Sequence, residues 1–177
     1  MRILGAIIAG GKSRRMGQDK AFIEWRGKTL ITHVIERLSV QTDQLIINAN
    51  DLEHLGLVIV PDKIETGTPV AGLHAVLTYA VELGFDAVLT SPCDTPLLPP
   101  DLRAQLSGHG AAIAASGGQA HYLTGFWPVE SLDVLDGLIR VKDFAAAAKA
   151  KQVEWPVKDY DPFLNINMPK DLLYLPG

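Results

Sequence analysis

Residues 3–8 and the loop after them decide the fold of this chain. Residues 3–8 read ILGAII, and residues 9–20 continue as AGGKSRRMGQDK. The apolar run has the length and composition of a buried parallel strand. Gly10 and Gly11 then let backbone N–H groups approach a ligand closely, beside Lys and Arg side chains that favour a polyphosphate. The stretch therefore predicts a phosphate-binding loop at the end of a first strand.

Two widespread phosphate-binding motifs do not describe this loop. A Walker A loop needs a glycine five positions before Gly11, where the chain has Ala6, inside the apolar run. The G-x-G-x-x-G fingerprint of dinucleotide-binding domains is also absent. A basic turn that merely joins a strand to a helix is the alternative. Three cations within residues 12–15, with Lys20 after them, favour the phosphate site.

Composition indicates one globular domain over residues 1–177. Hydrophobic residues make up 47% of the chain and charged residues 20%, values typical of a folded core. The net charge of −4 does not favour nucleic-acid binding, and no apolar run reaches membrane-spanning length. Cys93 is the single cysteine, so a disulfide within the chain is excluded. We expect a cytoplasmic protein that binds neither nucleic acid nor membranes.

Polar residues follow two further predicted strands. Residues 44–50 read QLIINAN, and residues 57–60 read LVIV before Pro61 and Asp62. Open α/β sheets bind ligands at the carboxyl ends of their strands. Asn48 and Asp62 are therefore candidate nucleotide contacts, although asparagines at such positions also form simple turns.

A carboxylate stands at the end of another apolar strand. Residues 85–91 read FDAVLTS and lead into PCDTP at residues 92–96. Asp94 between two prolines is held rigidly, and Mg²⁺ prefers one or two carboxylates together with phosphate oxygens. The alternative is that Asp94 only caps a turn. Cys93 lacks a nearby base that would activate a thiolate, so we interpret it as inert.

The loop at residues 4–20 resembles the signature of the molybdenum cofactor guanylyltransferase family. That family joins GMP from GTP to the terminal phosphate of molybdopterin and releases pyrophosphate. Further segments match the family in the same order, namely residues 44–50, 66–73, 92–100 and parts of 121–172. Thr68, Tyr122 and Met168 depart from the pattern, where the family has Gly, Pro and Thr.

The resemblance assigns roles residue by residue. It implies catalytic roles for Arg15, Lys20 and Asp94, with Asp94 as the ligand of Mg²⁺, or of Mn²⁺ in its place. It places the nucleotide against Ile8, Ala9, Gly10, Gly11, Lys20, Asn48, Asp62 and Asp94. It places molybdopterin against His121, Asn165 and Asn167. The implied substrates are GTP and molybdopterin, with transient contacts to molybdenum-insertion or acceptor proteins.

Alternating strands and helices predict an α/β fold. We expect three layers around a mostly parallel sheet, with a Rossmann-like nucleotide-binding half and a late antiparallel insertion, as in nucleotide-diphospho-sugar transferases. Helices are predicted over residues 30–38, 69–83, 132–139 and 142–151, and a further helix opens at residues 99–101 and runs through Leu106.

Other functions stay open on the sequence. One is the same chemistry with another substrate, either a cytidylyltransferase acting on molybdopterin or a nucleotidyltransferase acting on a sugar or polyol phosphate. Another is a non-catalytic carrier or sensor that binds GTP or molybdopterin. Asp94 together with Lys20 favours catalysis, and the Asn165–Asn167 pair favours molybdopterin as the acceptor.

Overall fold

The computed structural model describes residues 1–10, 20–52, 55–64 and 67–176. Its strands are β1 (Ile3–Ile8), β2 (Glu24–Trp25), β3 (Lys28–Thr29), β4 (Gln44–Asn48), β5 (Val58–Val60), β6 (Ala87–Pro92), β7 (Ala112–Ser116), β8 (Gln119–Pro128) and β9 (Lys151–Trp155). Its α-helices are α1 (Leu30–Ser39), α2 (Pro69–Glu82), α3 (Leu102–Leu106) and α4 (Val141–Ala147). Short 3-10 helices span Lys20–Phe22, Val129–Val134 and Pro169–Tyr174.

Seven of these strands form one sheet in the order β5-β4-β1-β6-β8-β7-β9, and β2 pairs with β3 in a separate hairpin. The first four strands of the sheet are parallel and have the order of a Rossmann half. β8 runs antiparallel to both β6 and β7, while β9 is parallel to β7. The predicted mostly parallel sheet with a late antiparallel element is confirmed.

β1 is the central strand of the parallel half, and all six of its residues are buried. Ile3 and Ile7 belong to an apolar cluster that includes side chains of α1 and α3. Leu4, Ala6 and Ile8 belong to a second cluster that includes side chains of α2 and α4. Because successive side chains of a strand point to opposite faces, the two clusters lie on opposite sides of the sheet. Helices therefore pack on both faces of the sheet, which confirms the predicted three layers.

The helices begin where the sequence indicates. The Thr29 side chain accepts a hydrogen bond from the Thr32 N–H at the start of α1, as an N-cap should. α2 begins with Pro69, which suits a first helical turn. Thr68 occupies the N-cap position of α2 but its side chain makes no capping hydrogen bond.

The α-helix predicted over residues 132–139 is wrong, because no α-helix forms over these described residues. This region forms a 3-10 helix that ends at Val134, and Gly137 follows with a φ of 75°. A left-handed glycine cannot continue a right-handed helix, which explains the early end. The next predicted helix, residues 142–151, is α4, and it ends before Lys149, whose φ is 54°.

A third apolar cluster fixes the C-terminal segment. Ile166 is fully buried against Ile23, Leu30 and Leu97, with Leu175 also in the cluster. This contact holds residues 161–176 beside the loop that follows β6. None of the helices in the described ranges is long and apolar enough to span a membrane.

Candidate active site

The register of β1 brings three strand ends to one edge. Ile8 is paired with Asn48 at the end of β4 and with Pro92 at the end of β6. Ile8 also accepts a backbone hydrogen bond from Cys93 at 3.3 Å. The glycine loop, Asn48 and Asp94 therefore emerge side by side. From β1 the chain continues to β4 on one side, and it later returns to form β6 on the other side of β1. Open α/β sheets bind ligands at the carboxyl ends of the strands where the order reverses in this way.

The described part of the glycine loop is short. The N–H of Ala9 donates to the Asn48 carbonyl at 2.9 Å, so it is already used within the protein. Gly10 is the first loop residue whose amide takes no part in a backbone hydrogen bond of the described residues. Gly11 and Arg15, which we predicted to bind phosphate and to act in catalysis, lie outside the described residues.

Asp94 is the central carboxylate of the site. Its side chain is 13% exposed, and Oδ2 lies 3.9 Å from the Lys20 ammonium. Its Oδ1 is buried and has no hydrogen-bond partner among the described residues. Burial raises the pKa of the Asp94 carboxyl above its ordinary value, while the Lys20 charge and a backbone hydrogen bond act against that rise. A buried carboxylate oxygen without a partner is suited to a cation.

Mg²⁺ is the ion that the resemblance implies at Asp94, and the donor set fits it. Within the described ranges, no three His, Cys, Asp or Glu side chains converge as a metal cluster. One carboxylate would therefore be the main protein ligand, and phosphate oxygens and waters would complete the shell. That coordination is common for Mg²⁺ bound with nucleotides.

The C-terminal segment joins the same site. The Ile166 N–H donates to the Asp94 carbonyl at 2.9 Å. On either side of Ile166, Asn165 accepts a hydrogen bond from the Thr95 hydroxyl at 2.8 Å, and Asn167 accepts one from the Lys20 ammonium. The structure thus brings the two asparagines to the catalytic candidates, and their contact with molybdopterin stays a prediction. Thr95, 1% exposed, is a residue that the sequence analysis missed.

Asn48 and Asp62 form a hydrogen-bonded pair on the other side of β1. The Asn48 amide nitrogen donates to Asp62 at 2.9 Å and to the Val60 carbonyl at 3.0 Å. Asn50 donates to the second oxygen of Asp62 at 3.1 Å and accepts from the Asp62 N–H at 2.9 Å. Two asparagines therefore fix the Asp62 carboxylate. The role of Asn50 in this arrangement was not predicted.

Gly72 of α2 is required by Asn48. A Cβ at Gly72 would lie 2.2 Å from the Asn48 amide oxygen, which is fully buried and has no partner among the described residues. A Cβ at Gly10 would lie 3.4 Å from the same oxygen and 3.8 Å from the Asp62 carboxylate. Gly72 therefore leaves the space that the Asn48 amide occupies. Gly10 lies against the same amide and the Asp62 carboxylate without a side chain of its own.

A cavity of about 240 Å³ lies on the other side of Asp94. His121 and Asn165 line it together with Asp94, and the remaining lining residues are Pro92, Gln119, Ala120, Tyr122, Leu123 and Thr124. The edge therefore carries the hydrogen-bonded Asn48 and Asp62 on one side of β1 and this cavity on the other, with Asp94 in the cavity wall beside Lys20. Such a site can hold two substrates across one anionic centre.

Comparison with known proteins agrees with this geometry. The family model of the MobA-like NTP transferase domain matches residues 5–153. The chain belongs to this family. It is 42% identical over 185 residues to a molybdenum cofactor guanylyltransferase of Cereibacter sphaeroides, covering 97% of this chain and 94% of that protein.

Two solved structures show the same fold. A protein of Aquifex aeolicus has a TM-score of 0.77 at 26% identity, with 93% of both chains covered. A molybdopterin-guanine dinucleotide biosynthesis protein A of Archaeoglobus fulgidus has a TM-score of 0.72 at 22% identity, covering 96% of this chain and 95% of that chain. As a MobA-like NTP transferase, the chain is a nucleotidyltransferase.

The pKa of Asp94 predicts a pH-dependent effect of Asp94→Asn on stability. The pKa of Asp94 is higher in the folded protein than in the unfolded chain, so the protonated carboxyl favours folding. This contribution to the free energy of unfolding is lost as the pH rises through the folded-state pKa. We expect Asp94→Asn to increase the free energy of unfolding at pH 7 by about 0.5–2 kcal/mol, measured by urea denaturation in chelator. The gain should shrink as the pH falls toward 4. Asp133→Asn, which removes an aspartate exposed on the surface, is the matched control.

The contact between Gly72 and Asn48 predicts strong coupling between substitutions at these two positions. Gly72→Ala should cost about 1–3 kcal/mol, because its Cβ would overlap the Asn48 amide. In an Asn48→Ala background the same change should be neutral or stabilising, by up to about 1 kcal/mol, since alanine is the better helix former. Urea denaturation of the four proteins measures this cycle. Additive costs would contradict the contact.

Proposed function

We propose that the chain transfers GMP from GTP to the terminal phosphate of molybdopterin and releases pyrophosphate. The observation that carries this proposal is Asp94, which lies beside Lys20 in the wall of the cavity and has a buried oxygen without a partner among the described residues. The name of the 42% identical relative supports GTP as the donor and the molybdenum cofactor as the product class.

The chemistry needs positioning more than a protein nucleophile. A phosphate monoester has a second pKa of about 6, so the molybdopterin phosphate is already anionic near neutral pH. One of its oxygens attacks the α-phosphorus of GTP, a new P–O bond forms, and the bond to the departing pyrophosphate breaks. Charge repulsion and alignment dominate such a barrier, and fixed cations lower it.

Lys20 is the described cation placed for this task. Its ammonium contacts Asn167 and lies 3.9 Å from Asp94, at a side-chain exposure of 31%. Asn167 contributes only a neutral oxygen, and Asp94 at 3.9 Å offsets part of the charge, so the ammonium can still contact a phosphate group. Arg15 is the second cation that we propose to act on the triphosphate.

Asp62 and Gly10 form the nucleotide side of the proposed site. The Asp62 carboxylate is fixed by Asn48 and Asn50 and keeps further lone pairs for donors of a ribose or base. Asn48 is fully buried with both amide hydrogens used within the protein, so it acts by holding Asp62.

Asp94 is the residue that would hold Mg²⁺, with Mn²⁺ as a substitute. A bound ion would supply Lewis-acid chemistry by neutralising phosphate charge. The protein's own contribution is to keep the Asp94 carboxylate rigid and largely shielded from water. The Ile166 N–H on the Asp94 carbonyl and the Thr95–Asn165 bond provide that rigidity.

Pyrophosphate release tests this proposal directly. Purified protein, Mg²⁺ and molybdopterin are combined with GTP, CTP, ATP or UTP in separate reactions. We expect release with GTP alone. Release with CTP instead would identify a cytidylyltransferase. Binding of a nucleotide without release would contradict the proposal and favour a carrier or sensor.

Substitution of Lys20 and of Asp94 by alanine should each reduce turnover at least about a hundredfold, the cost of removing one group aimed at developing charge. Steady-state pyrophosphate release measures the effect, and thermal unfolding confirms that the variants fold. Lys142→Ala and Asp133→Ala remove a lysine and an aspartate that are exposed on the surface. Those controls should keep normal turnover, and normal turnover in a folded Asp94→Ala protein would refute the metal assignment.

A further inference from the structure

A chain of three side chains lies behind the cavity that Asp94, His121 and Asn165 line. His121 Nε2 lies 2.7 Å from the Ser116 hydroxyl, and that hydroxyl lies 2.7 Å from Asp161 Oδ1. Ser116 is 1% exposed, at the end of β7. His121 itself lines the cavity that also contains Asp94 and Asn165.

The direction of these hydrogen bonds follows from Asp161. Its Oδ1 also accepts the Phe163 N–H at 2.9 Å, so this oxygen is an acceptor. The Ser116 hydroxyl must therefore donate its one hydrogen to Asp161. Ser116 Oγ can then only accept from His121, which places a hydrogen on Nε2.

The ring of His121 is also held by packing. Its centroid lies 5.0 Å from that of Phe163, and Trp155 packs edge-on against Phe163 at 5.2 Å. Burial lowers the pKa of His121, while the charges of Asp161 and Glu154 act against that decrease. A neutral imidazole with a hydrogen on Nε2 leaves Nδ1 as a bare lone pair.

We propose that Ser116 and Asp161 are positioning residues that fix His121 in its Nε2–H tautomer, so that Nδ1 accepts a hydrogen bond from the acceptor substrate. The lone pair of Nδ1 repels an anionic phosphate oxygen, whereas it can accept a hydrogen bond from an N–H group of the substrate. The heterocycle of the acceptor therefore lies against His121, and its phosphate lies toward Asp94 and Lys20. The identity of this substrate rests on the proposed function.

The first test reads the tautomer without substrate. In ¹⁵N-labelled protein at neutral pH, the resonances of His121 are assigned by their loss in His121→Gln. We expect a protonated Nε2 and an unprotonated Nδ1, and a mixture of tautomers in Ser116→Ala. A protonated Nδ1 in the unsubstituted protein would overturn the proposal.

The second test compares two amides at position 121. The oxygen of an asparagine can replace Nδ1 but cannot reach Ser116, whereas a glutamine amide reaches Ser116 but leaves Nδ1 empty. For His121→Gln we expect the KM for molybdopterin to rise about tenfold, with the KM for GTP unchanged, and we expect His121→Asn to lose less. A purely structural role of His121 requires the opposite order and would overturn the proposal.

His109→Gln serves as the matched control, because His109 is an exposed histidine outside the cavity. It should leave both KM values unchanged. Failure of the unsubstituted protein to release pyrophosphate would refute the proposed function but not the tautomer, which the ¹⁵N measurement decides by itself.

Discussion

The pairing of β1 with β4 and β6 is the constraint on which the rest of the structure depends. All six residues of β1 are buried, so the strand cannot shift by one residue without exchanging its two apolar faces. This register sets Ile8 opposite Asn48 and Pro92. Asn48, Asp62 and Asp94 then lie at the end of a strand or two residues beyond it. A rigid core thus fixes the position of a polar edge.

The sequence predicted the parallel half of the fold and much of the site for the same reason. Apolar runs at residues 3–8, 44–48 and 87–91 are strong local signals, and polar residues at their carboxyl ends follow from topology. Asp94, Lys20, Asn165 and Asn167 were predicted and do converge. The predictions for Gly11 and Arg15 fall outside the described residues and stay predictions.

The residues that escaped prediction act through partners far away in the chain. Ser116 and Asp161 are 45 positions apart, and neither lies in a recognisable motif. Thr95 reaches Asn165 across 70 positions. Gly72 could be noticed as part of a motif, but its reason, the amide of Asn48, is a tertiary contact. Local sequence patterns do not encode such tertiary contacts. A single sequence therefore predicts the polar residues at strand ends better than the side chains that hold them in position.

The site also shows why an active site lowers the stability of a fold. Three buried side-chain atoms of the described residues lack a hydrogen-bond partner, and two of them, Asn48 Oδ1 and Asp94 Oδ1, belong to the strand ends beside β1. A buried polar atom that stays unpaired costs about 1–3 kcal/mol. The third, on His74, lies within α2. A core selected for stability alone would satisfy the atoms beside β1. Asp94 Oδ1 is the atom whose missing partner a bound cation would supply, so at this position stability is given up for ligand binding.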